Sequence, residues 1–427
     1  MSNPGNSKYV KKLNRMRILN MIKDYEPISR QQLSEQTGLT PSAITGIIRE
    51  LIEMNFVKEV GLGESHGGRK PVKLKFNCKA GYVIGLEITQ HETVFAIADL
   101  KNQPKDIQSV AINMATPQEG IPLLIAEIKK LIEQQEHSKK FFMAIGIAFP
   151  GLLHLHNGLV KRAVNLGPAW NEYPIKEALE SALGLPVVIE NNAKAAALAE
   201  KWFGCGTAYS NLAYINMGEG ISTGILINDS ILAGSHGYAG QIGHMVLDSN
   251  GPLCNCGHRG CLEAICACPA LIRKVKTEIS FIDKEDPLVK IWEDKQDIRL
   301  ADIVLAAKVP GSYAESLFRQ VGKNMGLVLA NLINLYNPEA IFIGGKMAVA
   351  GDLFIDVIRD IVSTHAFPEI ANFTVISISA LGANTGAIGA CALVLKQLLQ
   401  SSESAILDDP ERILRKKGFF WSRSQII

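Results

Sequence analysis

Three cysteines packed into eight residues constrain this chain more than any other feature. The stretch from Gly240 to Glu263 reads GQIGHMVLDSNGPLCNCGHRGCLE, with Cys254, Cys256 and Cys261 parted by Gly257 and Gly260 and with His244 ten residues before Cys254. Three thiolates and an imidazole are the donor set of a closed, tetrahedral structural Zn2+ site. So short a loop aims its sulfurs at one point only where glycines take backbone angles that side chains forbid. The competing possibility is a cysteine-rich core loop with His244 as an ordinary hydrogen-bonded histidine. Against it, C-x-C-G-x-x-G-C is denser in ligands than an intracellular core needs. Cys266 and Cys268 form a second C-x-C, expected on the helix that follows rather than on the metal.

A chain of 427 residues with a 47% hydrophobic share is too long for one core, so two or three globular domains are expected. No run of about 18 apolar residues occurs, and SKYVKKLNRMR leads into a polar-interrupted helix rather than a signal-peptide core. The expectation is a soluble, cytoplasmic protein without membrane insertion. Its eight cysteines then serve as free thiols and metal ligands rather than disulfides. The net charge of +2 hides an uneven distribution: residues 1–77 carry 13 Lys and Arg against 7 Asp and Glu, and the remainder 31 against 35. A basic head on an acidic body fits a chain whose head alone meets a polyanion.

The head, 1–77, reads as a winged helix-turn-helix. Apolar residues at helical spacing mark a first helix from Leu13 to Lys23. Ser29 with Gln32 forms a capping box for a short second helix that Gly38 stops. Thr40 caps a third, with Pro41 at its first position and Ile44, Ile47, Ile48, Leu51 and Ile52 on one buried face. Ser42, Thr45, Gly46 and Arg49 remain on the outer face, suited with Thr40 and Ala43 to a major groove. Strands near Phe56–Gly61 and Lys70–Phe76 flank GLGESHGGRKP, where Arg69 and Lys70 are placed to enter a minor groove or grip phosphate. A three-helix protein-binding module with a solvated hairpin is the alternative.

Beyond Cys78, strands alternate with helices. A hairpin is expected over Tyr82–Ile88 and Thr93–Leu100, a helix over Gln118–Glu133, strands over Phe142–Phe149 and Pro186–Glu190, and a helix over Asn192–Phe203. The plan repeats with strands at Leu212–Asn216 and Thr223–Ile227, helix Tyr313–Tyr336, strand Ala340–Ile343 and helix Ala387–Leu399. Spacing supports two α/β lobes. They are placed at 79–195, completed by 385–399, and at 196–384 with the metal loop. The tail, 401–427, is polar and then aromatic.

GYAGQIGH and CNCGHRGCLE, with GIAFPGLL, VNLGPAW, IENNAKAAALAE, GEGISTG, NPEAIFIGG and LGANTGAIGAC, resemble the landmarks of the ROK family of repressors, open reading frames and sugar kinases. The resemblance runs from about residue 14 to 398, and the departures below place the chain nearest in kind to the xylose repressors. It implies an α/β, two-lobed actin-like (ribonuclease-H-like) sugar kinase fold behind the winged head. It further implies that His244 both ligates zinc and touches a sugar, and that Glu263, Gln241, Asn191 and Asn192 hold sugar hydroxyls. Taken singly, an Asn here is as readily a turn or helix cap, and Glu263 a solvated loop charge.

Two departures bear on catalysis and a third on which sugar fits. The kinases' E-N-D aspartate, which accepts the hydroxyl proton, is here Asn192, and an amide takes no proton at neutral pH. The phosphate hairpin D-x-G-G-T is here Glu87-Ile88-Thr89-Gln90-His91, and the other phosphate loop, Gly218 to Gly224, gains Glu219. Gln241 stands where the kinases carry glutamate. The resemblance therefore implies a non-enzymatic, sugar-responsive repressor acting as a dimer or tetramer on operator DNA, with a monosaccharide effector for which xylose is the first candidate. An active or bifunctional sugar kinase with a DNA-binding head is the rival, and a regulator controlled by a partner protein is a third reading.

Overall fold

The computed structural model describes residues 7–62, 71–101, 104–136 and 141–400; Arg69, Lys70 and the 401–427 tail lie outside them. In the head, α1 (Ser7–Tyr25), β1 (Ile28–Ser29), α2 (Arg30–Thr37), α3 (Pro41–Glu53), β2 (Val57–Leu62) and β3 (Val72–Phe76) form a three-helix unit with a β1-β3-β2 antiparallel sheet. The expected caps are present. Ser29 Oγ accepts from the Gln32 amide and Gln32 Oε1 from the Ser29 amide, Gly38 is left-handed, and Thr40 Oγ1 accepts from the Ala43 amide. Ile44, Ile47, Ile48 and Leu51 are buried, Ile52 is half-buried, and β1 was not expected.

The first helix begins earlier than its apolar periodicity suggests, because its basic start has partners. Lys11 and Arg15 reach Glu50 of α3 at 2.5 and 2.6 Å. Burial opposes ionisation of Glu50, yet these two cations hold its carboxyl below the usual range. Part of the head's positive charge is thus spent on its own packing.

The two lobes repeat one sheet plan. The first holds β4 (Tyr82–Ile88), β5 (Glu92–Asp99), β6 (Pro104–Ala111), α4 (Pro117–Glu136), β7 (Phe142–Phe149), the hairpin β8 (Leu152–His154) and β9 (Leu159–Arg162), α5 (Ile175–Leu183) and β10 (Val187–Asn191). Its sheet order is β10-β7-β4-β5-β6, antiparallel along β4-β5-β6 and parallel at β4-β7-β10. After α6 (Asn192–Phe203), β11 (Leu212–Met217), β12 (Ile221–Ile227), β13 (Ser230–Ile231) and the helices α7 (Leu262–Cys266), α8 (Cys268–Glu278), α9 (Pro287–Lys295), α10 (Leu300–Ala306) and α11 (Tyr313–Tyr336) lead to β14 (Ala340–Gly344). α12 (Ile355–His365), α13 (Pro368–Ala371) and β15 (Val375–Ile378) complete a β13-β12-β11-β14-β15 sheet with the same alternation of antiparallel and parallel neighbours. Every residue of β7 and β14 is buried, as central strands covered on both faces require.

The last helix, α14 (Thr385–Gln400), returns to the first lobe, where Cys391 Sγ donates to the Ala96 carbonyl. At its far end Asn20 Nδ2 of α1 donates to the Leu399 carbonyl at 2.7 Å. One apolar cluster runs from Met16, Leu19 and Ile22 of the head through Val83 and Ala96 to Val394, Leu395 and Leu398. Head and first lobe therefore share a core, and the link between them is a single 3₁₀ turn, Cys78–Ala80. Strand β6 and hairpin β8-β9 were not expected from the sequence.

Candidate ligand cleft and metal centre

The metal loop is built by short antiparallel contacts, Val246 with Cys261 and Leu253 with Arg259, and by the Cys254 amide donating to the His258 carbonyl. Gly260, at φ +68, lies so close to Asp248 that a Cβ would stand 1.5 Å from its carbonyl oxygen; only glycine fits. The donor atoms of His244, Cys254, Cys256 and Cys261 all fall within 4.8 Å of one another. Cys256 and Cys261 sulfurs are 3.7 Å apart, and His244 Nδ1 is 3.8 Å from the Cys254 sulfur. Metal–ligand bonds of about 2.0–2.3 Å set tetrahedral neighbours roughly 3.5–3.8 Å apart, so the donors fit a four-coordinate ion. Burial and neighbouring thiols push Cys254 up and Cys261 up to about 12. For Cys256 burial is outweighed by the amide and ring of His258, which bring it down to about 6. A divalent cation removes this conflict by taking all three as thiolates. Cys266 and Cys268 lie buried at the end of α7 and the start of α8, outside the cluster.

A cavity of about 450 Å³ lies beside this loop, between the lobes, and Asn191, Asn192, Gln241, His244 and Glu263 all line it. They reach it from four elements. Asn191 ends β10 and caps α6: its Oδ1 accepts from the Ala193 amide and its Nδ2 donates to the Gly151 carbonyl. The helix cap is thus Asn191, and Asn192 is the first helical residue, with its Nδ2 uncommitted among the described residues. Gln241 and His244 precede the metal loop, and His244 Nδ1 lies 3.8 Å from the Cys254 sulfur. Glu263, in the first turn of α7, is 7% exposed. It is no solvated loop charge, since Oε2 accepts from the Ile221 amide at 2.9 Å and Oε1 from Asn165 Nδ2 at 3.2 Å.

Asn165 is a cavity residue that residue-by-residue reading missed, although its motif VNLGPAW was noted. It crosses from the first lobe to Glu263, and its Oδ1 accepts from Asn255 of the metal loop at 3.3 Å. Arg162, at the end of β9, also lines the cavity and reaches the Cys256 carbonyl at 3.5 Å.

The cavity continues past the β11-β12 turn to Glu87, Glu92, Glu219 and Lys346. Burial pushes the Glu87 carboxyl up to about 7, opposed by the amides of Ala387 and Gly386 at the start of α14. Lys346 Nζ lies 3.3 Å from Glu92 and 3.2 Å from Glu219.

On the head, Thr40, Ser42, Ala43, Thr45 and Arg49 are exposed along one side of α3. Among the described residues, Arg49 has an ion-pair contact of 4.0 Å to Glu53.

The ROK family profile matches residues 83–397, and a winged helix-turn-helix DNA-binding profile matches residues 12–58. The chain belongs to the ROK family. It is 31% identical over 404 residues to the xylose repressor of Caldicellulosiruptor bescii, covering 94% of this chain and 100% of that one. A ROK family transcriptional regulator, homologous to the E. coli MLC protein, superposes with a TM-score of 0.80 at 27% identity, covering 94% of this chain and 99% of its own. A ROK glucokinase from Streptomyces griseus, solved with glucose and AMPPNP, matches 73% of this chain and 99% of its own with a TM-score of 0.65 at 27% identity. The ROK chain is therefore a winged helix-turn-helix followed by a two-lobed, actin-like kinase fold. Among its described residues no helix is long and apolar enough to cross a membrane.

Proposed function

We propose that this ROK protein is a sugar-responsive transcriptional repressor whose kinase-fold body senses a monosaccharide without phosphorylating it. One observation carries the reading: polar side chains from separate segments, Asn192, Gln241, His244, Glu263 and Asn165, line one cavity. Amides, an imidazole and a carboxylate arranged in this way suit a polyol. Support for xylose as the effector comes from the C. bescii relative, a xylose repressor.

The head supplies the operator contacts, with α3 offering Thr40, Ser42, Ala43, Thr45 and Arg49 to the major groove and Arg69 and Lys70 to the flanking DNA. A homodimer or tetramer places two such helices about 34–36 Å apart on successive turns. Zn2+ held by His244, Cys254, Cys256 and Cys261 fixes the wall that carries Gln241, His244 and Glu263; the ion acts as scaffold. Asn192 binds a hydroxyl without accepting its proton, so no phosphoryl transfer follows. The working division is a head of 1–77, a first lobe of 79–195 completed by 385–399, a second lobe of 196–384 and a tail of 401–427, in a cytoplasmic protein. Signal passage is short, because α14 runs from the cleft at Gly386 to the head at Asn20.

DNase footprinting upstream of the genes neighbouring its own, repeated with candidate monosaccharides, tests the reading. A protected site that one sugar shifts or abolishes is expected. No protection, or protection that no sugar in a broad panel alters, would overturn it. The kinase reading draws on the glucokinase likeness and requires ADP release with sugar and Mg-ATP.

A further inference from the structure

The cavity has a second end that the sugar reading leaves unused, and its groups are already paired with one another. The β11-β12 turn divides the two ends. A Cβ on Gly220 would stand 2.5 Å from Glu263 Oε2, whereas one on Gly218 would stand 3.8 Å from the Lys346 amide nitrogen. Lys346 belongs to the second lobe, just past β14, as does Glu219 in the turn. Glu92 belongs to the first lobe, at the start of β5, where Ser109 Oγ also donates to it at 2.8 Å. The Lys346–Glu92 contact therefore crosses from lobe to lobe, and the Lys346–Glu219 contact fixes the lysine's own side.

Beside this cluster begins α14, sixteen residues long. Amides at a helix N-terminus ordinarily gather a free anion such as phosphate. Here the Gly386 and Ala387 amides meet the Glu87 carboxyl, and a Cβ on Gly386 would stand 2.3 Å from that carboxyl carbon. Glu87 Oε2 is buried with no hydrogen-bond partner among the described residues. The first amides of α14 thus already face a carboxyl of the chain itself, and Glu92 and Glu219 would repel a second anion brought beside it.

We propose that this end of the cleft is closed by the chain itself, with Lys346 strapping the lobes together through Glu92 and Glu219 and with Glu87 plugging the N-terminus of α14. The strap does at this end what a phosphate-bearing ligand with a metal ion could do from outside, namely set a cation between anionic groups of the two lobes. It biases the ligand-free protein toward the closed arrangement, so that a ligand at the Glu263 end need only complete a closure already begun. This last consequence rests on the sugar reading; the strap itself does not.

Hydrogen exchange on the ligand-free, full-length protein tests it, read at the β4-β5 turn and at the β11-β12 turn. Lys346→Met is expected to speed exchange at both turns by about 2- to 5-fold, the range of a partly exposed ion pair. Glu92→Gln should do the same, the double variant should go no further, and Lys346→Arg should restore slow exchange. Calorimetry of the wild type with millimolar magnesium pyrophosphate should show no binding. An effect of Lys346→Met confined to the β11-β12 turn, additive single effects, or pyrophosphate uptake by the wild type would each overturn the proposal. No sugar is present in either measurement, so the result stands whether or not a monosaccharide effector is found.

Discussion

At the Glu263 end of the cleft, Asn192 and Gln241 keep side-chain hydrogen-bonding capacity that no described residue takes up, while at the Lys346 end the charged groups bind each other. The same fold, duplicated in topology, has thus been finished in opposite ways within one cavity. Polar groups left unpaired in a cleft wait for a ligand, because leaving them without partners costs free energy that a bound hydroxyl recovers. At the other end Lys346, Glu92 and Glu219 are paired and have no such need, although the buried Glu87 Oε2 has no partner among the described residues. A cavity lined by conspicuous charge is therefore not by itself a binding site; what counts is which of its groups already have partners.

Substitutions at the two ends of the cleft and on the head test this contrast. Cys256→Ser should have the largest effect. Losing one of four donors should release the metal, unfold the wall at the Glu263 end and lower the melting temperature by about 5–10 °C, with bound zinc followed by elemental analysis. Glu263→Ala comes next. It strips the Ile221 amide and Asn165 of a charged acceptor, and sugar affinity measured by calorimetry should fall at least about tenfold, since hydrogen bonds to charged groups contribute about 1.5–3 kcal/mol. On the head, Arg49→Ala should weaken operator binding by roughly tenfold in an anisotropy titration, the range of one good base contact, without altering sugar affinity.

Smaller and more diagnostic is the pH dependence at the strapped end. Because burial raises the Glu87 pKa in the folded chain to about 7, the folded state holds a proton there that the unfolded state has lost above about pH 4.3. Stability from this group is present at low pH and declines as pH rises through about 7. Melting curves of Glu87→Gln should lack that decline. A decline identical in the two proteins would remove Glu87 from the account.

Much of the fold was legible because its signals are local. Ser29 with Gln32, Thr40 with Pro41, the unbroken apolar run Phe142–Phe149 and the helical face of Tyr313–Tyr336 each announce themselves within a few residues. The metal cluster was legible for the same reason. Strand β6, at the sheet's edge with Asp106, Ile107, Gln108 and Ser109 all exposed, carries too little apolar pattern to stand out. The cleft's wiring was hidden because its partners are remote: Asn165 meets Glu263 across 98 residues and Lys346 meets Glu219 across 127. No periodicity encodes such a pair. Gly386 looks like a landmark glycine in sequence, and only in three dimensions does it prove to be the seat of Glu87.

The account turns on sugar acting without nucleotide. The most direct measurement titrates the purified full-length protein, bound to its own upstream DNA, with monosaccharides in the presence and absence of Mg-ATP while ADP is monitored. One sugar should change DNA affinity at the same half-maximal concentration with or without ATP, and no ADP should form. A sugar response that needs ATP, or sustained ADP release, would contradict it.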